Sequence, residues 1–162
     1  MTAAQLVTQN QTATQLNDLL ARVNRVIAGT DDLLAQLTTL QMQLPRSPAG
    51  GLAQPQAVLT DIDATIKDLR HFKDSVLARP LPGLGYRQYP RLREESQTVA
   101  GMVSRPMMPP TAGELTRMSE LRIEADQAQA RLDGIIAGRV AKINQALAGT
   151  PHVITPARPI IP

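Results

Sequence analysis

Residues 111–149, TAGELTRMSELRIEADQAQARLDGIIAGRVAKINQALAG, read as one amphipathic helix, and that reading decides the fold class. Leu115, Met118, Leu121, Ala125, Ala128, Leu132, Ile135, Ile136, Val140, Ile143 and Leu147 recur mostly at steps of three and four, the spacing that lines one face of a helix. Thr111 stands three residues before Glu114, so its hydroxyl can accept from a free N–H of the first turn while the glutamate reaches back. Gly149 follows the last apolar position and marks the stop. The spacing predicts a helix over 111–148, with the small Ala125 and Ala128 admitting a close neighbour.

The same pattern extends outward from this segment. Thr2 and Gln5 repeat the capping spacing, and Leu16, Leu19, Leu20, Val23, Val26, Ile27, Leu33, Leu34, Leu37, Leu40 and Leu44 form a stripe that predicts a helix over 3–44. Gly29-Thr30-Asp31 is a weak point within it, but the stripe keeps its phase across the site, so one helix of roughly 60 Å is expected. Prolines and glycines at 45–51 turn the chain. Val58, Leu59, Ile62, Ile66, Leu69, Phe72, Val76 and Leu77 then predict a helix over 55–78, opened by Pro55. A shorter helix over 90–104 rests on Leu92, Val99, Met102 and Val103, and residues 150–162, with four prolines, form an extended tail on which Val153, Ile154, Ile160 and Ile161 can dock. The expected fold is all-α, an antiparallel up-down four-helix bundle over 1–149; an extended three-helix bundle capped by the short helix is the alternative.

Composition narrows the classes of function. A chain of 162 residues can bury roughly 70% of its unfolded surface, enough for a core without a metal or disulfide. One Phe, two Tyr and no Trp leave that core to aliphatic residues and methionine, and zero Cys excludes thiolate chemistry. Seventeen basic against fourteen acidic residues give a net charge of +3 spread along the chain, which reads as a solvated surface and not as a nucleic-acid footprint. No apolar run approaches the ~18 residues a membrane span needs. The opening Met1-Thr2-Ala3-Ala4-Gln5 has neither the basic nor the apolar region of an export signal.

No residue pattern points to catalysis or to a cofactor. His71 and His152 belong to no metal-ligand motif, and Asp31/Asp32, Asp61/Asp63 and Glu94/Glu95 read as helix-start acids or solvated faces. No metal and no cofactor are expected. The densest local chemistry is Tyr86-Arg87-Gln88-Tyr89-Pro90-Arg91-Leu92-Arg93. Tyr86, Arg87, Tyr89, Arg91 and Arg93 are the candidate interface residues, because aromatic and guanidinium groups together anchor protein surfaces. In the plainer reading the tyrosines cover the end of the bundle and the arginines reach Glu94, Glu95 or solvent.

One resemblance rests on the order of short motifs. Thr2-Ala3-Ala4-Gln5-Leu6 leads into Leu16-Asn17-Asp18-Leu19-Leu20-Ala21-Arg22-Val23-Asn24; Tyr89-Pro90-Arg91-Leu92 follows the central loop; Pro109-Pro110-Thr111-Ala112 opens the last helix, which carries Ala130-Arg131-Leu132-Asp133. In this order the chain resembles the C-terminal helical region of large bacterial BNR or Asp-box β-propeller proteins, often described as sortilin-like or glycosyl-hydrolase-like. The resemblance implies an accessory module that follows propeller blades, usually in an exported parent. The Ser-x-Asp-x-Gly pattern of the Asp-box is missing here, so no propeller-borne activity carries over. The resulting expectation is a non-catalytic scaffold that packs against an adjacent domain or another protein chain, with at least one long helix face left apolar. The alternative is a free-standing helical oligomerisation or binding protein, such as a homo-oligomer.

Overall fold

Thr2 caps the first helix as its spacing to Gln5 predicts: its hydroxyl accepts the Gln5 N–H at 3.2 Å, and its own N–H donates to Gln5 Oε1 at 2.8 Å. The structure, a computed structural model, describes residues 2–44, 54–80, 88–105 and 108–156. Helix α1, Ala3–Gln43, runs unbroken through Gly29-Thr30-Asp31. Thr30 stays helical because its buried hydroxyl donates to the Val26 carbonyl at 2.8 Å, which satisfies it without leaving the helix. Gly29 marks a close approach, since a Cβ there would lie 3.3 Å from Leu132 Cδ2.

Helix α2, Pro55–Phe72, starts with proline at its first position and ends in a π turn, Lys73–Leu77. Helix α3 spans Leu92–Val103. Pro90, expected to open α3, lies just outside it, because Arg91 holds the extended cap position. Helix α4 runs Ala112–Ile135, passes through a π turn at Ile136–Val140 and finishes as Ala141–Ala146. Gly149 ends it with φ +88°, a conformation only glycine adopts without penalty. The two π turns share one logic. Phe72 and Leu77, and likewise Ile135 and Val140, are buried pairs five residues apart, and a π turn keeps such a pair on one face where an α-turn would rotate the second away.

The all-α four-helix bundle read from the stripes is the observed fold, and cross-links between side chains fix its directions. Asp31 pairs with Lys73, and Gln41 with Asp63, so α2 runs antiparallel to α1. Arg22 pairs with Asp126 while Gly29 meets Leu132, so α4 runs parallel to α1. Gln9 reaches Val103 at the end of α3, whose start lies beside Asp74, so α3 follows α2 in the same direction. The alternation thus lapses at one joint, and α3 continues the rod that α2 begins, so it does not cap the bundle. The core is one continuous cluster in which Leu16, Leu33, Leu37, Ile62, Leu69, Phe72, Leu121 and Ile143 are essentially inaccessible to solvent.

Gly134 shows what the fold leaves unused. It sits exposed in α4, and nothing lies within 4 Å of where a Cβ would be. Gly134→Ala should therefore raise stability by about 0.5–1 kcal/mol through helix propensity alone, read as a higher urea midpoint at unchanged slope.

Candidate interaction site

The Glu94 carboxylate gathers several contacts at the joint between α2 and α3. Glu94, in the first turn of α3, accepts the backbone N–H of Arg91 and that of Arg79 on the same oxygen, each at 3.1 Å. Its other oxygen takes the Arg93 guanidinium at 3.0 Å, and the Arg79 guanidinium lies 3.6 Å away. Arg91 in turn donates from Nε to the Asp74 carbonyl at 3.1 Å. Glu94 and Arg91 thus tie the end of α2 to the start of α3.

Burial works to raise the Glu94 pKa, but the Arg91 N–H, the Arg93 guanidinium and the Arg79 N–H together outweigh it and hold the carboxyl below the ordinary 4.5. For a depressed acid, the stabilisation is fully present above that ordinary value and is lost as pH falls through the folded value below it. Glu94→Gln should cost about 1–2 kcal/mol at pH 7 and flatten the loss of stability below pH 4.5, measured by urea titration across pH 3–7. Glu114 is depressed in the same direction, first by the Thr111 N–H and further by Arg105, whose guanidinium lies 2.5 Å away.

Beside the joint, α3 and α4 leave an open groove of about 500 Å³. Buried Val99 with the exposed Pro90 and Met102 gives it an apolar lining, and Glu95, Glu114 and Arg117 line it with charge. Arg117 is committed within the chain: it pairs with Glu95, with Glu120 at 2.9 Å and with Glu124 at 2.8 Å. The Glu95 contact foremost, against the opposing effect of burial, drives its pKa further upward.

The five candidate interface residues divide between inside and outside. Tyr86 and Arg87 lie outside the described residues. Arg93 meets Glu94, as the plainer reading expects, while Arg91 reaches the Asp74 carbonyl, which that reading does not name. Tyr89 does the opposite of what that reading expects. It is 83% exposed, whereas Arg91 reaches the Asp74 carbonyl.

The expected helix-long apolar face is not present among the described residues. Exposed large apolar side chains are instead local: Leu6 and Val7 in the first turns of α1, Met102 in the groove, Tyr89 just before α3, and Met42, Met108, Ile123 and Val153 elsewhere. Among the described residues no helix is long and apolar enough to cross a membrane, and no three His, Cys, Asp or Glu side chains gather as a metal site. Comparison with protein-family models, with curated proteins and with solved structures gives no match.

Sequence reasoning missed three polar side chains that organise the bundle: Gln9, Gln36 and Asn144. Gln9 Nε2 lies 2.9 Å from the Val103 carbonyl, 2.7 Å from that of Arg105 and 3.1 Å from that of Met108. The only hint in the sequence is an amide at the a/d-like spacing Gln9–Leu16–Leu19–Val23, where an apolar residue would continue the stripe.

Proposed function

We propose that this chain is a non-catalytic helical accessory module of a larger propeller-containing protein, and that its surface beside the α2–α3 joint packs against the adjacent domain. The observation that carries this reading is the exposure of Tyr89, next in sequence to Pro90 of an open groove whose charged lining residues Glu95 and Arg117 are paired with each other. An exposed tyrosine with two rotatable side-chain bonds, one residue before the lining of an apolar groove, has the composition of an interface anchor. The motifs behind the propeller resemblance support a framing role. Thr2-Ala3 and Thr111-Ala112 begin α1 and α4 with reciprocal capping boxes, and Tyr89-Pro90-Arg91-Leu92 leads into α3.

Two measurements test the proposal. In-frame translation of the DNA upstream of Met1 should show Asp-box repeats; an immediate stop codon counts against it. With the parent in hand, Tyr89→Ala combined with Met102→Asp should leave the stability of the helical chain within about 0.5 kcal/mol while weakening its association with the neighbouring domain at least about ten-fold. Unchanged association would refute the surface.

The free-standing oligomer is favoured by a different observation. Residues 3–17 of α1 carry no charge, and Leu6 and Val7 are half-exposed there. A sedimentation mass that rises with concentration, and falls back in Leu6→Glu, identifies that case.

A further inference from the structure

The tail after α4 does not hang free; it is read by two side-chain amides on different helices. Asn144 accepts the Ile154 N–H and donates to the Ile154 carbonyl, both at 2.8 Å. Gln36 does the same for Thr155, accepting its N–H and donating to its carbonyl, both at 2.9 Å. Two consecutive residues thus have every backbone polar group satisfied by amides from α4 and α1, the pairing that β-strand addition normally provides. Between these clamps Ile154 is only 2% exposed and joins the main core, whereas Val153 points outward at 70%.

The fit has a gap. Along α1, Ala35, Thr39 and Leu40 face the tail across a hollow of about 370 Å³ that residues 151–154 line without filling. The clamps recognise backbone, which any sequence offers, and only the Ile154 position selects a side chain. The tail's own sequence is therefore a sufficient occupant and not the best one.

We propose that the cleft between α1 and the end of α4 is a peptide-binding site, and that residues 152–156 are a built-in pseudo-ligand occupying it. The external ligand is an extended segment of another protein with a β-branched aliphatic anchor in place of Ile154 and a bulkier neighbour that fills the hollow. Tethering holds the tail at high effective concentration, so an incoming segment has to outcompete it. The site lies at the opposite end of α1 from Gln9 and is independent of the surface beside the α2–α3 joint.

The test uses the full chain and a fluorescein-labelled synthetic peptide of residues 150–156. Ile154→Ser releases the tail, and the peptide should then bind at least about ten-fold more tightly than to the unmodified chain. Adding Gln36→Ala and Asn144→Ala in that background should abolish the gain. The unmodified chain provides a readout free of mutation: excess peptide should speed amide exchange at Ile154 and Thr155 while Leu121 keeps its protection. Equal binding to both chains, no binding at about 1 mM peptide, or unchanged exchange at those two amides overturns the proposal. So does a dimer of the unmodified chain that the peptide dissolves, because the occupant is then the tail of a second copy.

Discussion

Phe72→Ala should cost about 4 kcal/mol, within the range expected when a fully buried aromatic is deleted from a core. Phe72 is the one phenylalanine of the chain and is 0% exposed. It stands where α2 enters its π turn, and Leu77, five residues on, shares its face, so truncation removes the side chain around which that turn is organised. The Arg131 guanidinium lies 4.7 Å over the ring, a cation–π contact contributing on the order of 0.5–1 kcal/mol, while also pairing with Asp68 at 3.2 Å. Phe72→Leu keeps most of the volume and should lose far less than the alanine variant. Urea titration of both decides the matter: an alanine variant within about 1 kcal/mol of the parent shows that the α2–α4 contact closes over the gap.

Four helices and their approximate limits were legible because the core is aliphatic and each stripe obeys one period. Thr2 with Gln5, and Thr111 with Glu114, announced two helix starts, and Gly149 announced an end. What the stripes do not encode is direction. Leu92, Val99 and Val103 would be buried whether α3 reversed or continued α2, and the direction shows only in polar contacts, Arg91 on the Asp74 carbonyl, Glu94 on the Arg79 N–H and Gln9 on the Val103 carbonyl. The π turns left only a faint trace, the adjacent apolar pairs Ile135-Ile136 and Val76-Leu77, where steps of three and four remain available and do not announce the turn.

The polar organisation was less legible, for a chemical reason. Arg93 meeting Glu94 could be anticipated, since opposite charges side by side announce themselves. Gln9, Gln36 and Asn144 act on backbone N–H and carbonyl groups, which every residue carries, so no spacing in the sequence reveals their partners. Tyr89 is a candidate interface residue in one reading and a cover of the bundle end in the plainer one, and it is 83% exposed.

Gln9→Glu isolates that backbone chemistry in one atom. The substitution is nearly isosteric, but it exchanges an amide nitrogen for a carboxylate oxygen at a site only 8% exposed, facing the carbonyls of Val103, Arg105 and Met108. Three acceptors lose their shared donor and gain a negative charge, at an expected cost of about 3 kcal/mol at pH 7. The sign of the pH dependence follows from the same contact. Repulsion raises the folded pKa of the new acid above its unfolded value, so its penalty grows as pH rises between the two and is relieved as pH falls below both. Once protonated, the carboxyl can donate to one of the carbonyls, and the variant should regain much of its deficit at pH 4. Gln9→Met removes the donor without adding charge and should cost less than the glutamate, about 1–2 kcal/mol, with no pH dependence of its own. Should Gln9→Glu and Gln9→Met lose the same amount at pH 7, the three carbonyls are being satisfied by water, and Gln9 does not fasten the start of α1 to the end of α3.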